Sequence, residues 1–338
     1  METVWFCVLG LLGGGYAVLD GFDLGVGAIY LWIARTDEER RTSLLSIGPV
    51  WDGNEVWLLA TGGLLVLSFP RVYAAGFSGF YLALMIVLWL LMGRGLALEW
   101  RANVQAQMWR QAADVVFALC STLLALLFGV AAGNVVNGVP LNPQGYYQGL
   151  FSWMLNPYAL LVGLLGVALL GLHGANWLAL RTDGTVQERA RLASRRLFPI
   201  VVLLIVAATI ATFLARGAMG INYHDYPIWL IVPLCTVALI ILQWRFRRDN
   251  ADLYAWLASS CLLLTLLVST AIGLYPYLLP SSPHPARSLT IYNASSSHFA
   301  MQVGLTWLAF GLVLALAHTS WVYSLFRGKV RIEAGSHY

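Results

Sequence analysis

Nine long apolar runs constrain the fold of this chain more than any other feature. A helix needs roughly 20 apolar residues to cross the hydrocarbon core of a bilayer, which is about 30 Å thick. The sequence therefore predicts an all-α polytopic membrane protein with a single integral-membrane domain over residues 1–338. The predicted helices cover residues 4–33, 50–69, 73–98, 112–136, 157–180, 197–215, 227–246, 253–278 and 298–326.

Composition agrees with this fold class and excludes several others. Only 11% of the residues are charged and 59% are hydrophobic, whereas a soluble domain carries about 25% charged residues. The sequence contains no phosphate-binding loop, no nucleotide fingerprint, no Ser-His-Asp arrangement and no metal-ligand spacing. The arginines are interpreted as signals of membrane topology, so nucleic acid is not an expected partner.

The distribution of positive charge predicts the orientation. All but three of the 20 Lys and Arg residues lie in or beside the connections after the first, third, fifth and seventh predicted helices, or in the C-terminal tail; the exceptions are Arg71, Arg216 and Arg287. Cytoplasmic loops of membrane proteins are enriched in Lys and Arg. We therefore expect the N-terminus outside and the C-terminus, with Arg331, in the cytoplasm.

Four carboxylates lie within the first two predicted helices. Asp20 and Asp23 are three residues apart, as are Asp52 and Glu55, and residues at this spacing are neighbours on a helix surface. At 1.5 Å per residue, Asp20 lies about 24 Å along the first helix from its outer end. The second helix runs the other way, so all four carboxylates are expected in the cytoplasmic half of the membrane.

Carboxylates at this depth are costly, and they often mark proton relays in membrane proteins. A relay is therefore one hypothesis, with Asp23 and Asp52 as the leading candidates and Glu55 as a residue that can simply bond a neighbouring helix. Structural roles are the alternative. Asp52 can cap the second helix, and Asp20 or Asp23 can pair with Arg94 on the third. The residues alone leave both hypotheses open.

The residues around the carboxylates predict close packing. Gly21 and Gly25 form a small-xxx-small step that lets a neighbouring helix approach. Trp51 and Trp57 flank the second acidic pair and are interpreted as packing or interfacial aromatics, and Asn54 lies between Asp52 and Glu55.

Two histidines allow a different interpretation. His173 and His318 both lie well inside predicted helices, toward the cytoplasmic side. A pair of histidines can hold a haem iron, so a membrane b-type cytochrome with its haem between the fifth and ninth helices is one alternative. A hydrogen-bonded helix histidine is the simpler interpretation.

Four stretches together resemble a known family. They are residues 20–27 (DGFDLGVG), 51–57 (WDGNEVW), 69–81 (FPRVYAAGFSGFY) and the 280–290 loop, which begins PSS and ends SLT. They resemble subunit II of the cytochrome bd-type quinol oxidases, in the shorter form found in cyanide-insensitive oxidases. The resemblance covers nearly the whole chain.

The resemblance implies a haem-free subunit of an enzyme that oxidises quinol and reduces dioxygen to water in the bacterial cytoplasmic membrane. It implies a partner, subunit I, that carries b and d haems, with small single-helix subunits joining in some members and a structural quinone in subunit II of others. It also implies that Asp52 takes part in proton delivery toward subunit I. The resemblance implies the same role less strongly for Asp20, Asp23 and Glu55.

A stand-alone proton-coupled transporter is the rival from another class. Such transporters are commonly built from internal repeats, with broken helices near the membrane midplane. The carboxylates of this chain are off-centre and no repeat is apparent in the sequence.

Overall fold

The computed structural model describes residues 1–282 and 284–330, so Arg331 lies outside the described residues. The chain is almost entirely helical. In chain order the helices are α1 (Glu2–Ile33), α2 (Asp37–Leu45), α3 (Trp51–Ser68), α4 (Pro70–Gly79), α5 (Tyr81–Asn103), α6 (Gln107–Asn137), α7 (Pro157–Arg181), α8 (Gly184–Ala215), α9 (Ile221–Asp225), α10 (Ile231–Arg248), α11 (Asp252–Leu274) and α12 (His298–Leu325). A two-stranded antiparallel hairpin, β1 (Tyr277–Leu279) and β2 (Leu289–Thr290), precedes α12.

Eight helices of the described chain are long and apolar enough to cross a membrane: α1, α5, α6, α7, α8, α10 with its preceding turn, α11 and α12. They correspond to eight of the nine predicted spans. The second predicted span, 50–69, forms α3, which is 18 residues long. Asp52, Asn54 and Glu55 in its first turns lower its hydropathy, so a count of nine stays a prediction.

The third predicted span, 73–98, differs from the observed helices. The chain is helical from Pro70, breaks at Phe80 and continues as α5. Proline is favoured at the first helical position, and Gly76 and Gly79 weaken the helix just before the break. Gly79 is also required for packing, because a Cβ there would lie 2.6 Å from Cγ of Tyr147.

Several helices extend beyond their apolar runs. Helix α8 begins at Gly184, so the arginines predicted in a loop before residue 197 are helical. The predicted span 253–278 instead ends at Leu274, two residues before Pro276. Hydropathy marks the lipid-facing length of a helix and does not by itself locate the residues at which the helix begins and ends.

Helix α1 is the centre of the bundle and packs against α3, α6, α7 and α11. Glycines allow the closest approach. A Cβ on Gly25 would overlap the Leu170 carbonyl oxygen, and a Cβ on Gly174 would overlap the backbone of Gly25. A Cβ on Gly21 would come within 3.0 Å of Leu170. Gly21 and Gly25 thus both lie where α1 and α7 approach each other closely.

The arginine-rich connections meet at one end of the bundle. Arg189 donates to the carbonyl oxygen of Ile33, Arg101 pairs with Asp37, and Arg191 pairs with Asp252. The β-hairpin and the loop before α7 cover the other end, where Val139 bridges to Ser281. The two sets of connections therefore separate as the charge pattern predicts, and the orientation relative to the cytoplasm stays a prediction.

Candidate functional site

A bidentate ion pair lies inside the bundle between α1 and α5. Asp20 and Arg94 are both fully buried. The Nη2 atom of Arg94 donates to Oδ1 of Asp20 at 2.7 Å, and Nη1 donates to Oδ2 at 3.2 Å. Paired bonds of this kind are among the strongest that charged side chains form. Of the two pairings with Arg94 that the sequence left open, the structure contains the one with Asp20.

Glu55 reaches the same guanidinium from α3. Its Oε1 atom accepts from Nη1 of Arg94 at 3.1 Å, and its side chain is 23% exposed. Glu55 thus bonds a neighbouring helix, as one interpretation predicted. It also joins the buried ion pair to the protein surface.

Asp23 lies one turn beyond Asp20 and has a different partner. The Nδ2 atom of Asn54 donates to Oδ2 of Asp23 at 2.7 Å and to the carbonyl oxygen of Leu19 at 3.0 Å. The hydroxyl of Tyr323, on α12, donates to Oδ1 of Asn54 at 3.0 Å. The Oδ1 atom of Asp23 is buried without a hydrogen-bond partner in the described chain. We call Asp20, Asp23, Asn54, Glu55, Arg94 and Tyr323 the central cluster.

Asp52 does not join the central cluster. It is exposed on α3, and within residues 1–282 and 284–330 no hydrogen bond or ion pair engages it. The suggestion that it caps α3 is wrong, because the N-cap residue is Val50 and no side chain caps that helix. Three of the four predicted carboxylates therefore meet inside the protein, while Asp52 lies on the surface one turn from Glu55.

The flanking tryptophans are packing residues, as predicted. Trp57 is 9% exposed, and a Cβ on Gly15 would lie 3.0 Å from its ring. The ring of Trp51 lies against Gly95, where a Cβ would be 3.3 Å away. Both tryptophans fix α3 against neighbouring helices, and this packing sets the rotation of α3 that points Asn54 inward.

The two histidines do not form a haem site together. His173 is fully buried; its Nε2–H donates to the carbonyl oxygen of Val18 at 3.1 Å, and Nδ1 lies at hydrogen-bond distance, 2.7 Å, from the hydroxyl oxygen of Ser259. Both nitrogens are therefore engaged, as in the simpler interpretation of this residue. His318 is exposed on α12 beside Trp321. The bis-His arrangement that the b-type cytochrome alternative requires is not formed.

A second buried acidic group was missed in the sequence. Asp114, on α6, is 1% exposed. Its Oδ1 accepts from the Tyr30 hydroxyl at 2.5 Å and from Nε of Arg101, and its Oδ2 accepts from Nη1 of Arg40 at 2.7 Å. We call Asp114, Tyr30, Arg40 and Arg101 the Asp114 cluster. The sequence signal available for Asp114 was its position, because it is an aspartate in the first turns of an apolar run, as Asp52 also is.

The fold and its buried charges define a polytopic helical membrane protein with an ionisable cluster between its helices. The sequence model of the cytochrome bd terminal oxidase subunit II family matches residues 1–326. This chain belongs to that family, and it is accordingly an integral protein of the bacterial cytoplasmic membrane. Membership supports the oxidase-subunit interpretation over the stand-alone transporter and the b-type cytochrome.

Relatives match over almost their whole length. A probable cytochrome oxidase subunit 2 of Haemophilus influenzae is 35% identical, over 98% of this chain and 95% of the relative. Cytochrome bd-I ubiquinol oxidase subunit 2 of Escherichia coli K12 is 34% identical over 100% and 98%, and cytochrome bd ubiquinol oxidase subunit 2 of Bacillus subtilis is 31% identical over 98% and 97%. A chain of the bd oxidase of Geobacillus thermodenitrificans shares the fold, with a TM-score of 0.75 at 21% identity over 96% of this chain and 98% of that one.

Proposed function

We propose that this chain conducts cytoplasmic protons toward the oxygen-reduction site of a quinol oxidase. As a member of its family, the chain is a subunit of a terminal oxidase complex. The relatives in Escherichia coli and Bacillus subtilis are named for ubiquinol oxidases. We assign quinol and dioxygen as the substrates of this complex on the basis of that similarity. Protons taken from the cytoplasm to make water would contribute to the membrane potential.

The chemistry of electron transfer belongs to the partner in this proposal. Subunit I carries the b and d haems and the site of quinol oxidation, and this chain is haem-free. The engagement of both His173 nitrogens supports that assignment. Small single-helix subunits join the pair in some members of the family, and some members hold a structural quinone in subunit II.

The observation that carries the proposal is the central cluster. The distribution of Lys and Arg predicts that this part of the bundle lies in the cytoplasmic half of the membrane. Asp52 lies on the surface, Glu55 is partly exposed one turn further along α3, and Asp20 and Asp23 are fully buried. Ionisable groups thus extend from the surface into the bundle. Glu55 would take up the proton from the cytoplasmic side, Asp23 would hold it, and Asp52 would pass it toward subunit I, while Asp20 stays paired with Arg94.

The exposed face of α3 is the proposed contact with subunit I. Asp52, Val56 and Leu59 lie on one side of α3, with Val56 55% and Leu59 73% exposed. A charged side chain that faces lipid within a membrane span is costly, so a protein partner is a better neighbour for Asp52 than acyl chains. Helix α12 packs against α3 and is itself largely uncovered, since only 6% of its most apolar stretch is buried.

Replacement of Asp52 by Asn tests the proposal in the assembled oxidase. Asp52→Asn removes the surface proton acceptor but keeps the size of the side chain, so quinol oxidase turnover should fall about a hundredfold, the lower end of what a positioned acid or base contributes. Haem content should stay nearly the same.

Asp225→Asn is the matched control, because Asp225 is an exposed aspartate at the opposite end of the bundle. Its turnover should equal that of the parent. Unchanged turnover and membrane potential in Asp52→Asn would refute the proton role, and loss of the haems would instead make Asp52 a structural residue.

A further inference from the structure

The carboxylates of the central cluster outnumber its cations. Asp20, Asp23 and Glu55 lie around one guanidinium, that of Arg94. Full ionisation would place three negative charges against a single positive one in a largely buried site. Burial of an unbalanced charge is so costly that the group takes up a proton instead. At least one of the three carboxyls is therefore neutral at rest.

The contacts identify which carboxyl that is. Asp20 receives two bonds from Arg94, so its negative charge is balanced. Glu55 contacts the same guanidinium and is partly exposed to solvent. Asp23 is fully buried, and among the described residues it forms no ion pair; its partner is the uncharged amide of Asn54. Asp23 is the carboxyl with the least to stabilise a negative charge.

The orientation of the Asn54 amide follows from its other two contacts. The carbonyl oxygen of Leu19 can only accept, so the end of the amide that faces it must be the NH2 group, and that same group faces Asp23. The hydroxyl of Tyr323 then donates to the opposite, carbonyl end of Asn54. Both ends of the amide are fixed, and Oδ2 of Asp23 is therefore an acceptor.

We propose that Asp23 rests in its protonated form with the proton on Oδ1, and that Asn54, held by Tyr323, is the positioning residue that directs the proton to that oxygen. Oδ2 is occupied by the Asn54 donor, whereas Oδ1 has no partner in the described chain. The charged or titratable groups around Asp23 are Asp20 on its own helix, Glu55 on α3, Arg94 on α5 and Tyr323 on α12. This inference deepens the proposed proton conduction and rests on it for its functional meaning.

Infrared difference spectroscopy of the intact oxidase tests the protonation state directly. A neutral carboxylic acid gives a carbonyl stretching band that a carboxylate lacks. Asp23→Asn should remove one such band, and Tyr323→Phe, which frees the Asn54 amide, should shift its frequency. Persistence of every such band in Asp23→Asn would overturn the inference, and so would an unshifted band in Tyr323→Phe.

Asn176→Leu supplies the matched control. Asn176, on α7, is a buried helix asparagine whose amide accepts from Ser194 and donates to the carbonyl oxygen of Ala255, with no carboxylate among these partners. Its replacement should leave the Asp23 band in place, whereas Asn54→Leu should shift it. If Asn54→Leu fails to assemble, Tyr323→Phe and the milder Asn54→Gln decide the matter; a band unmoved in both contradicts the positioning role.

Turnover separates this inference from the proposed function. If Asp23→Asn removes the band while turnover and membrane potential match the parent, Asp23 is protonated but the proton-conducting role fails. If turnover falls about tenfold while every carboxylic acid band persists, proton conduction stands and the resting state assigned to Asp23 is wrong.

Discussion

The central cluster and the Asp114 cluster use the same residue types with opposite charge balance. In the Asp114 cluster one carboxylate accepts from two arginines and a tyrosine, and both of its oxygens are engaged. In the central cluster one arginine pairs with two of the three carboxyls, and one oxygen of the third, Asp23, has no partner among the described residues. Both oxygens of Asp114 accept hydrogen bonds, whereas Oδ1 of Asp23 has no hydrogen-bond partner in the described chain.

This difference underlies the structural role expected of the Asp114 cluster and the proton exchange proposed for the central cluster. A carboxylate with every oxygen bonded to cations gains little from a proton, because protonation would break those bonds. Such a group joins helices, in this case α1, α2, α5 and α6. A carboxyl with a free oxygen and no cation can exchange a proton while its neighbours stay in place. Charge balance therefore distinguishes the two clusters, whereas burial does not, since Asp114 and Asp23 are both buried.

The largest effect on stability is expected from loss of Asp114. Asp114→Ala removes the buried carboxylate that Arg40 and Arg101 share and leaves Arg101 with the exposed Asp37 alone, and breaking a buried ion pair in this way costs about 3–5 kcal/mol. We expect a lower unfolding temperature and a lower yield of assembled oxidase, measured by thermal unfolding in detergent.

The corresponding change in the central cluster should cost less stability. Asp23→Ala removes a carboxyl that has no ion pair within the described chain, so its unfolding temperature should stay closer to that of the parent. If Asp23→Ala destabilises the protein as much as Asp114→Ala, the distinction between the two clusters fails.

Arginine-to-lysine changes sharpen the comparison. A lysine at position 94 keeps the charge but cannot make the two parallel bonds to Asp20 and also reach Glu55. Since it leaves buried acceptors without partners, Arg94→Lys should cost about 1–3 kcal/mol. Arg40→Lys is the matched control, because the Arg40 side chain is 23% exposed and solvent can replace its lost bonds. An equal loss of stability in the two variants, measured by thermal unfolding, would contradict the argument.

The smallest effect is expected at Glu39 in α2, outside the membrane-spanning helices. Burial alone would raise the pKa of Glu39, but hydrogen bonds from the backbone of Arg35 and Thr36 and from the side chains of Thr185 and Arg189 outweigh it and lower that pKa to about 2. The pKa is lower in the folded state, so the stabilisation is complete above the ordinary value of 4.5 and is lost as pH falls toward 2.

Glu39→Gln should therefore lower the unfolding temperature slightly near neutral pH and make no difference at pH values approaching 2. Thermal unfolding as a function of pH measures this. A difference between parent and variant that grows as pH falls would contradict the expected direction of the effect.

The sequence predicted the helices better than it predicted the partners of the carboxylates. Hydropathy found every long apolar run, and charge asymmetry grouped the connections at two ends. The break at Phe80 was missed, because the requirement for Gly79 comes from Tyr147, far away in the chain. The early start of α8 was missed because its first turns are polar and carry no hydropathy signal.

Within the site, residue spacing predicted which residues are neighbours on a helix, but it did not predict which way each helix is rotated in the bundle. Residues three apart on a helix are neighbours, yet they differ by roughly 60° around its axis. That angle is enough to place Asp52 on the surface and Glu55 beside Arg94. The rotation of α3 depends on where Trp51 and Trp57 find space against Gly95 and Gly15, and such packing cannot be read from α3 alone.

The contact of Gly25 with Gly174 limits how this protein can work. Backbone lies directly on backbone where α1 crosses α7, so neither helix can slide or tilt past the other without steric overlap. Asp23 lies within about one turn of that crossing and is held on a fixed support. Protons that pass through Asp23 would therefore move by side-chain rotation and by transfer between neighbouring groups at fixed positions. One half of the molecule would not rock against the other.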